Sequence, residues 1–402
     1  MTGGAGSRSA PGPQRLTGHE AYAAALSGLP GMGPATLVQI LRQWEPGRAW
    51  EEIRAGRLTR PSPGRSATPV GLFSEPGMSD EQPVVKGRPT WAEITNRLEP
   101  ESWWAAIAAR GIDVTWPGRA DYPAALANDP HPPGVLFWRG SLAGLQQPCV
   151  AVVGTRSATA DGRAVAFELG RDLASAGVSV VSGLALGIDG AAHLGALEGL
   201  PAGGPAGPVG VAASGVDVPY PRRHARLWER VADAGAILSE TLPGRAAQAW
   251  RFPTRNRVIA GLVRMVVVVE SHASGGSLIT AEAALERGVE VRVVPGPVHS
   301  PASAGSNQLL YDGPGPVRSA RDVLDALGMI RPEAAAGMAH VDSPVLSPDA
   351  VAVLEATGWR PCSMNQIVSR ASIGVAAAGA ALDELESVGY VVGEGGWWVR
   401  RR

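Results

Sequence analysis

Six short, Val-rich and mostly apolar runs punctuate the middle of this chain, at 149–153, 178–181, 208–212, 236–239, 265–269 and 290–294. A strand with one face in water alternates apolar and polar residues, whereas one covered on both faces does not. Between the runs lie helical stretches at about 160–176, 189–199, 222–234, 254–262 and 278–288. Strand and helix in alternation predict an α/β fold, a doubly wound and mainly parallel sheet with helices on both faces.

The flanks differ from this centre. Residues 1–17 are small and polar and are expected to be disordered. Residues 18–110 read as a helical domain interrupted by a Pro/Gly-rich loop at 61–89, with Trp103 and Trp104 as packing residues. The α/β unit takes 111–330, and its approach, 115–147, reads as loop-rich. A Pro/Ala/Gly linker at 331–343 leads to a unit over 344–402, with helices at 346–356, 363–370 and 375–388 and a terminal hairpin. Three helices and a hairpin suggest a winged helix.

Several function classes are excluded early. Of 36 basic residues only Lys86 is a lysine, and Gly87 follows it, so no Walker-A sequence exists. The two cysteines, Cys149 and Cys362, cannot build a disulfide framework or a Cys-rich zinc site, and no His/Cys/Asp/Glu set has metal-ligand spacing. No cofactor is expected. The apolar run from Val258 to Val269 is broken by Arg264, so no membrane span is expected. Met1 to Pro13 lacks the apolar stretch of a secretory signal, and a cytoplasmic location follows as the expectation.

Ligands of doubly wound sheets sit outside the carboxyl ends of the strands. Here those ends carry Gly154-Thr155-Arg156 after the first run, Ser182-Gly183 before Asp189 and His193 after the second, and Gly275-Gly276-Ser277 after the fifth. Such turns into helices present backbone amides to an anion. Asp189 reads as a cap of the helix that follows it. From Thr241 to Val269 there is no acid, yet Arg245, Arg251, Arg255, Arg257 and Arg264 all fall there. Pro253 and Thr254 suit a helix start, which would put Arg255 and Arg257 in the first turn, against the helix dipole unless an anion docks. Over 149–312 the Arg and acid counts are equal, at 14 each, so the basic patch is local.

Together these residues resemble the DprA/Smf family of DNA-processing proteins. The resemblance rests on Ala151 to Thr159 (Ala-Val-Val-Gly-Thr-Arg-Ser-Ala-Thr) and Ser182 to His193 (Ser-Gly-Leu-Ala-Leu-Gly-Ile-Asp-Gly-Ala-Ala-His). Pro219-Tyr220-Pro221, Ser239-Glu240, Phe252-Pro253-Thr254-Arg255-Asn256-Arg257, Ser277-Leu-Ile-Thr and Val294-Pro-Gly follow in the family's order. It implies a Rossmann-like domain that binds single-stranded DNA, forms a homodimer and helps load RecA recombinase during DNA uptake and recombination, without enzymatic activity. Carried over by position, the DNA contacts would be Gly154, Thr155, Arg156, Ser182, Gly183, Arg222, Phe252, Arg255, Asn256, Arg257, Gly276 and Ser277. Leu29 to Thr36 resembles a helix-hairpin-helix turn, and the C-terminal unit resembles the family's optional third domain. The segment Gly199 to Gly210 is longer and looser than usual, and His224 stands where Asn is common. The alternative is a nucleotide-processing hydrolase of a related Rossmann-like type. Its partial signature is Gly275-Gly276-Ser277 with Thr280 and Glu282, and its acid/base candidates are Asp189, His193, Glu270 and Glu282.

Overall fold

The run Cys149–Val153 is buried along its whole length and forms an interior strand of a large sheet. The computed structural model of the chain describes residues 18–59, 89–330, 346–358 and 361–400. The expected disordered start at 1–17, the loop at 61–89 apart from its last residue, and the linker at 331–343 lie outside them. The chain divides into two compact units, one up to Met329 and one from Ile330 onward.

In the first unit, five helices come first: α1 (His19–Ser27), α2 (Pro34–Gln43), α3 (Pro46–Arg54), α4 (Trp91–Thr95) and α5 (Pro100–Ala108). Proline opens α2, α3 and α5, where its missing N–H costs nothing. Thr90 and Glu93 close a capping box on α4. Then follow β1 (Asp113–Thr115), α6 (Ala124–Ala127), β2 (Leu136–Gly140), β3 (Cys149–Val153), α7 (Ala160–Ser175), β4 (Ser179–Ser182), α8 (Ile188–Gly199) and β5 (Val209–Val211). The unit continues with α9 (Ala225–Ala234), β6 (Ala236–Ser239), α10 (Arg251–Leu262), β7 (Met265–Val268), α11 (Gly276–Leu285), β8 (Glu290–Val293), α12 (Ala304–Tyr311), β9 (Gly315–Pro316) and α13 (Ala320–Ala326).

The strand order is β1-β2-β6-β5-β4-β3-β7-β8-β9. All pairs from β6 to β9 are parallel, with Ala151 opposite both Val181 and Val266. The six expected strands are all present. The approach read as loop-rich holds two more: β2 runs antiparallel to β6, and β1 antiparallel to β2. Burial confirms that the sheet is covered on both sides. Val150, Val152 and Val180 face α7, α8 and α13, whereas Ala151, Val153 and Val181 face α10 and α11. The N-terminal helices share their core with the sheet. Trp50, Ile53 and Trp104 cluster with Phe137, Trp228 and Ile237, so this part of the chain folds onto the β2–β6 end.

The second unit has α14 (Pro348–Ala356), β10 (Cys362–Ser363), α15 (Met364–Ala371), α16 (Val375–Ser387), β11 (Val391–Glu394) and β12 (Trp397–Arg400). Its strands form an antiparallel sheet in the order β10-β12-β11 over a core of Val353, Ile367, Leu382 and Leu385. Among the described residues no helix is long and apolar enough to cross a membrane.

Candidate nucleic-acid interface

The sheet reverses its winding between β3 and β7, the first strand and the fifth of the parallel series. Helices diverge from such a point and leave a crevice at the carboxyl edge. A cavity of about 670 Å³ occupies it, lined by Gly154, Thr155 and Arg156 from the β3 loop and by Gly275, Gly276 and Ser277 at the start of α11. Phe252, Arg255 and Asn256 of α10 and Tyr220 complete the wall. A recess of about 70 Å³ adjoins it, bounded by Gly183, Tyr220, Pro221, Phe252 and Arg156.

Three side chains form a stack at the mouth. The Arg156 guanidinium lies 4.7 Å from the Phe252 ring centroid, within cation–π range. Phe252 in turn lies 5.5 Å from the Tyr220 ring, tilted by 53°. Arg156 is exposed, Phe252 half-buried and Tyr220 45% exposed, so the guanidinium and part of each ring reach solvent. Arg222, also exposed, follows Pro221 at the edge of the recess but lines neither cavity.

The remaining predicted residues hold this mouth in shape. Thr155 donates its N–H to the Glu270 carbonyl at 2.7 Å, and its Oγ1 accepts the Ser157 N–H at 3.2 Å. Ser182 is fully buried and donates to the Val152 carbonyl at 2.7 Å, tying β4 to β3 instead of facing the cavity. Ser277 is buried and donates to Ser271 Oγ at 2.8 Å. Asn256 donates to the Gly276 carbonyl at 3.2 Å and accepts from Arg255 Nε at 3.1 Å.

The helix expected to begin near Pro253 begins two residues earlier, at Arg251, so Arg255 falls in the second turn and not the first. The arginine does not oppose the dipole at a free end. It points inward, 8% exposed, and donates to the carbonyls of Gly183 (2.7 Å) and Val211, which close β4 and β5. Burial pushes its guanidinium down to about 10, partly offset by the Asp189 carboxylate, and leaves it charged at neutral pH. A methyl group at Gly183 would come within 2.5 Å of that guanidinium and would have to displace it from its carbonyl partners. Arg257 is likewise engaged, with Glu240 at 2.5 Å and the His131 carbonyl at 2.5 Å.

Asp189 differs from its expected role as a helix cap. Gly187 occupies the N-cap of α8, and Asp189 accepts backbone N–H groups of Gly183 (3.0 Å) and Ala185 (3.4 Å). This braces a loop in which Leu184 takes a left-handed φ of 59°. Burial raises its carboxyl, and Arg255 opposes the rise. Glu270 is held by Thr159, through the N–H at 2.9 Å and the hydroxyl at 2.6 Å. His193 is sealed from solvent and pushed down to about 4 by burial, against the Ser182 backbone. Glu282 lies exposed on α11 and away from the cavity wall. His224 bonds the Leu184 carbonyl through Nδ1 at 2.9 Å, supporting the same loop. Among the described residues no three His, Cys, Asp or Glu side chains gather as a metal site.

Tyr220 is the residue that sequence reasoning left out of the site. Its signal was an aromatic ring between two prolines, Pro219 and Pro221.

Known proteins share this chain's sequence and fold over the same region. DNA processing protein DprA of Bacillus subtilis is 37% identical over 224 residues, covering 56% of this chain and 74% of that one. A putative DNA processing protein DprA of Mycobacterium tuberculosis is 44% identical over 204 residues, so this chain spans about half (51%) of its length. The X-ray structure of DprA from Streptococcus pneumoniae superposes with a TM-score of 0.58 at 28% identity, over 78% of this chain and 98% of that one. Residues 113–328, which carry the whole sheet and its mouth, match the family described as DNA recombination-mediator protein A, and the chain belongs to that family.

Proposed function

We propose that the chain binds single-stranded DNA at the carboxyl edge of its sheet and acts in the cytoplasm as a recombination mediator without bond-making chemistry of its own. The observation that carries this reading is the Arg156–Phe252–Tyr220 stack. Bases stack on aromatic faces whatever their identity, at roughly 1–3 kcal/mol each, but only when they are not already stacked in a duplex. Arg156 is placed for a phosphate, with Arg222 at the edge. The start of α11 at Gly276 and Ser277 turns its first backbone N–H groups toward an anion, and Gly154 and Thr155 bring the β3 loop close beside it. Ser182, Gly183, Arg255, Asn256 and Arg257 act on the strand through the shape they maintain.

The hydrolase alternative needs free acid/base groups at the mouth. The Asp189 and Glu270 carboxylates are instead taken by backbone amides and Thr159, which supports binding without catalysis. On the family resemblance, the partner served is RecA recombinase, and the α/β unit pairs with a second copy of itself.

Fluorescence anisotropy with labelled oligo-dT and with duplex, at two salt concentrations, tests the reading. Single strands should bind more tightly than duplex. Arg156→Ala should lower single-strand affinity at least about tenfold, or 1.4 kcal/mol. Indifference to Arg156, or no preference for single strands, overturns it.

A further inference from the structure

A second cavity, of about 460 Å³, lies beyond the ends of β5 and β6, and Arg255 lines it as well as the first. We propose that this cavity is a second nucleotide subsite, which receives the next stretch of the single strand held at the Arg156–Phe252 mouth. The inference rests on the single-strand reading above and extends it.

Three observations carry it. The first turn of α10 divides between the two cavities: Phe252 lines the first, whereas Arg251 and Thr254 line the second. A chain leaving one therefore passes directly over the Arg255 wall into the other. The second observation is charge. Arg245 and Arg251 both line the cavity, and among the described residues neither forms an ion pair. Arg251 is held to the Ala246 carbonyl at 2.8 Å, and its guanidinium is pushed down by burial and by Arg245. The one carboxylate on the wall, Glu240, is neutralised by Arg257. Two like charges facing a cavity are unfavourable until an anion such as a phosphodiester enters. Third, Trp250 on the same wall is 59% exposed, with the Arg251 guanidinium 5.0 Å from its ring. An exposed indole beside cations supplies a base with a stacking face, repeating the pairing of Arg156 with Phe252.

The test measures affinity for oligo-dT of about six and about twenty nucleotides, lengths chosen to occupy one cavity or both. The variants are Arg245→Glu, Trp250→Ala and Arg156→Ala. Arg245 is exposed, so its replacement leaves the fold intact, and thermal unfolding of each variant confirms this. Arg245→Glu and Trp250→Ala should weaken the long oligonucleotide about tenfold and leave the short one within about twofold. For Arg245→Glu the salt slope on the long strand should become shallower by about 0.7, one lost phosphate contact. Arg156→Ala should weaken both lengths. Wild-type affinity of the two second-cavity variants on both lengths overturns the second subsite and leaves the first standing. Equal loss on both lengths overturns it too, because the effect then belongs to the first mouth. If Arg156→Ala binds both lengths like wild type, the underlying reading fails and the extension with it.

Discussion

Two arginines a short distance apart illustrate how burial divides labour. Arg156 is exposed, and Arg156→Ala should leave unfolding free energy within about 0.5 kcal/mol of wild type while removing affinity for single strands. Arg255 is buried on two main-chain carbonyls beside Asp189. Arg255→Met leaves those oxygens and that carboxylate without their partner, and urea denaturation should show a loss of about 3–5 kcal/mol. His193 adds a pH dependence. Folding lowers its affinity for the proton, from the ordinary 6.5 to about 4, so the folded chain binds fewer protons across that interval. The contribution is full above pH 6.5 and is lost as pH falls toward 4, to a limit of about 3 kcal/mol. Asp189 and Glu240, both raised by burial, act in the opposite direction. The measurement is therefore the difference between wild type and His193→Leu, whose stability should fall less steeply over the same interval. At this scale the sequence revealed which residues carry charge but not where they point. Arg255 and Arg257 look alike in Thr254-Arg255-Asn256-Arg257, and only the fold turns one onto Gly183 and the other onto Glu240.

At the scale of elements, the doubly covered strands were legible because burial on both faces leaves Val and Ala little to alternate with. Strands β1 and β2 were not: β1 has three residues, and β2 pairs a buried Leu136-Phe137 with Trp138, Arg139 and Gly140 toward the edge. Nor did composition explain the glycines of α7 and α8, since glycine in a helix costs about 1 kcal/mol relative to alanine. The structure supplies the reason. Gly170 lies against the Ala192 carbonyl, Gly195 against that of Phe167 and Gly199 against that of Arg171, so the two helices meet backbone to backbone. Gly195→Ala would drive a methyl into the Phe167 carbonyl. The helices must separate, and the expected cost is about 1–3 kcal/mol by denaturant unfolding despite the gain in helix propensity.

For the whole molecule, a formal net charge of -1 means that no general attraction draws nucleic acid to this surface. Binding strength must come from a few placed cations, and the salt dependence should count them. With Arg156, Arg222, Arg245 and Arg251 engaged, the plot of log affinity against log salt should have a slope of about -3 for single strands. Anisotropy titrations between low and moderate salt measure it; a slope near zero would show that these cations stay clear of the phosphates. The sequence announced this locality through its acid-free stretch. It did not show that the stretch serves two cavities, because that depends on where α10 starts.

The buried guanidinium between those cavities has a consequence for how the protein can change. A wall with two sides gives one position two phenotypes: any alteration at 255 is felt in both chambers at once. Substitutions on opposite sides, such as Tyr220 and Trp250, should combine additively while the wall stands and lose their independence when it is removed. The chambers can drift apart in preference only through their outer walls.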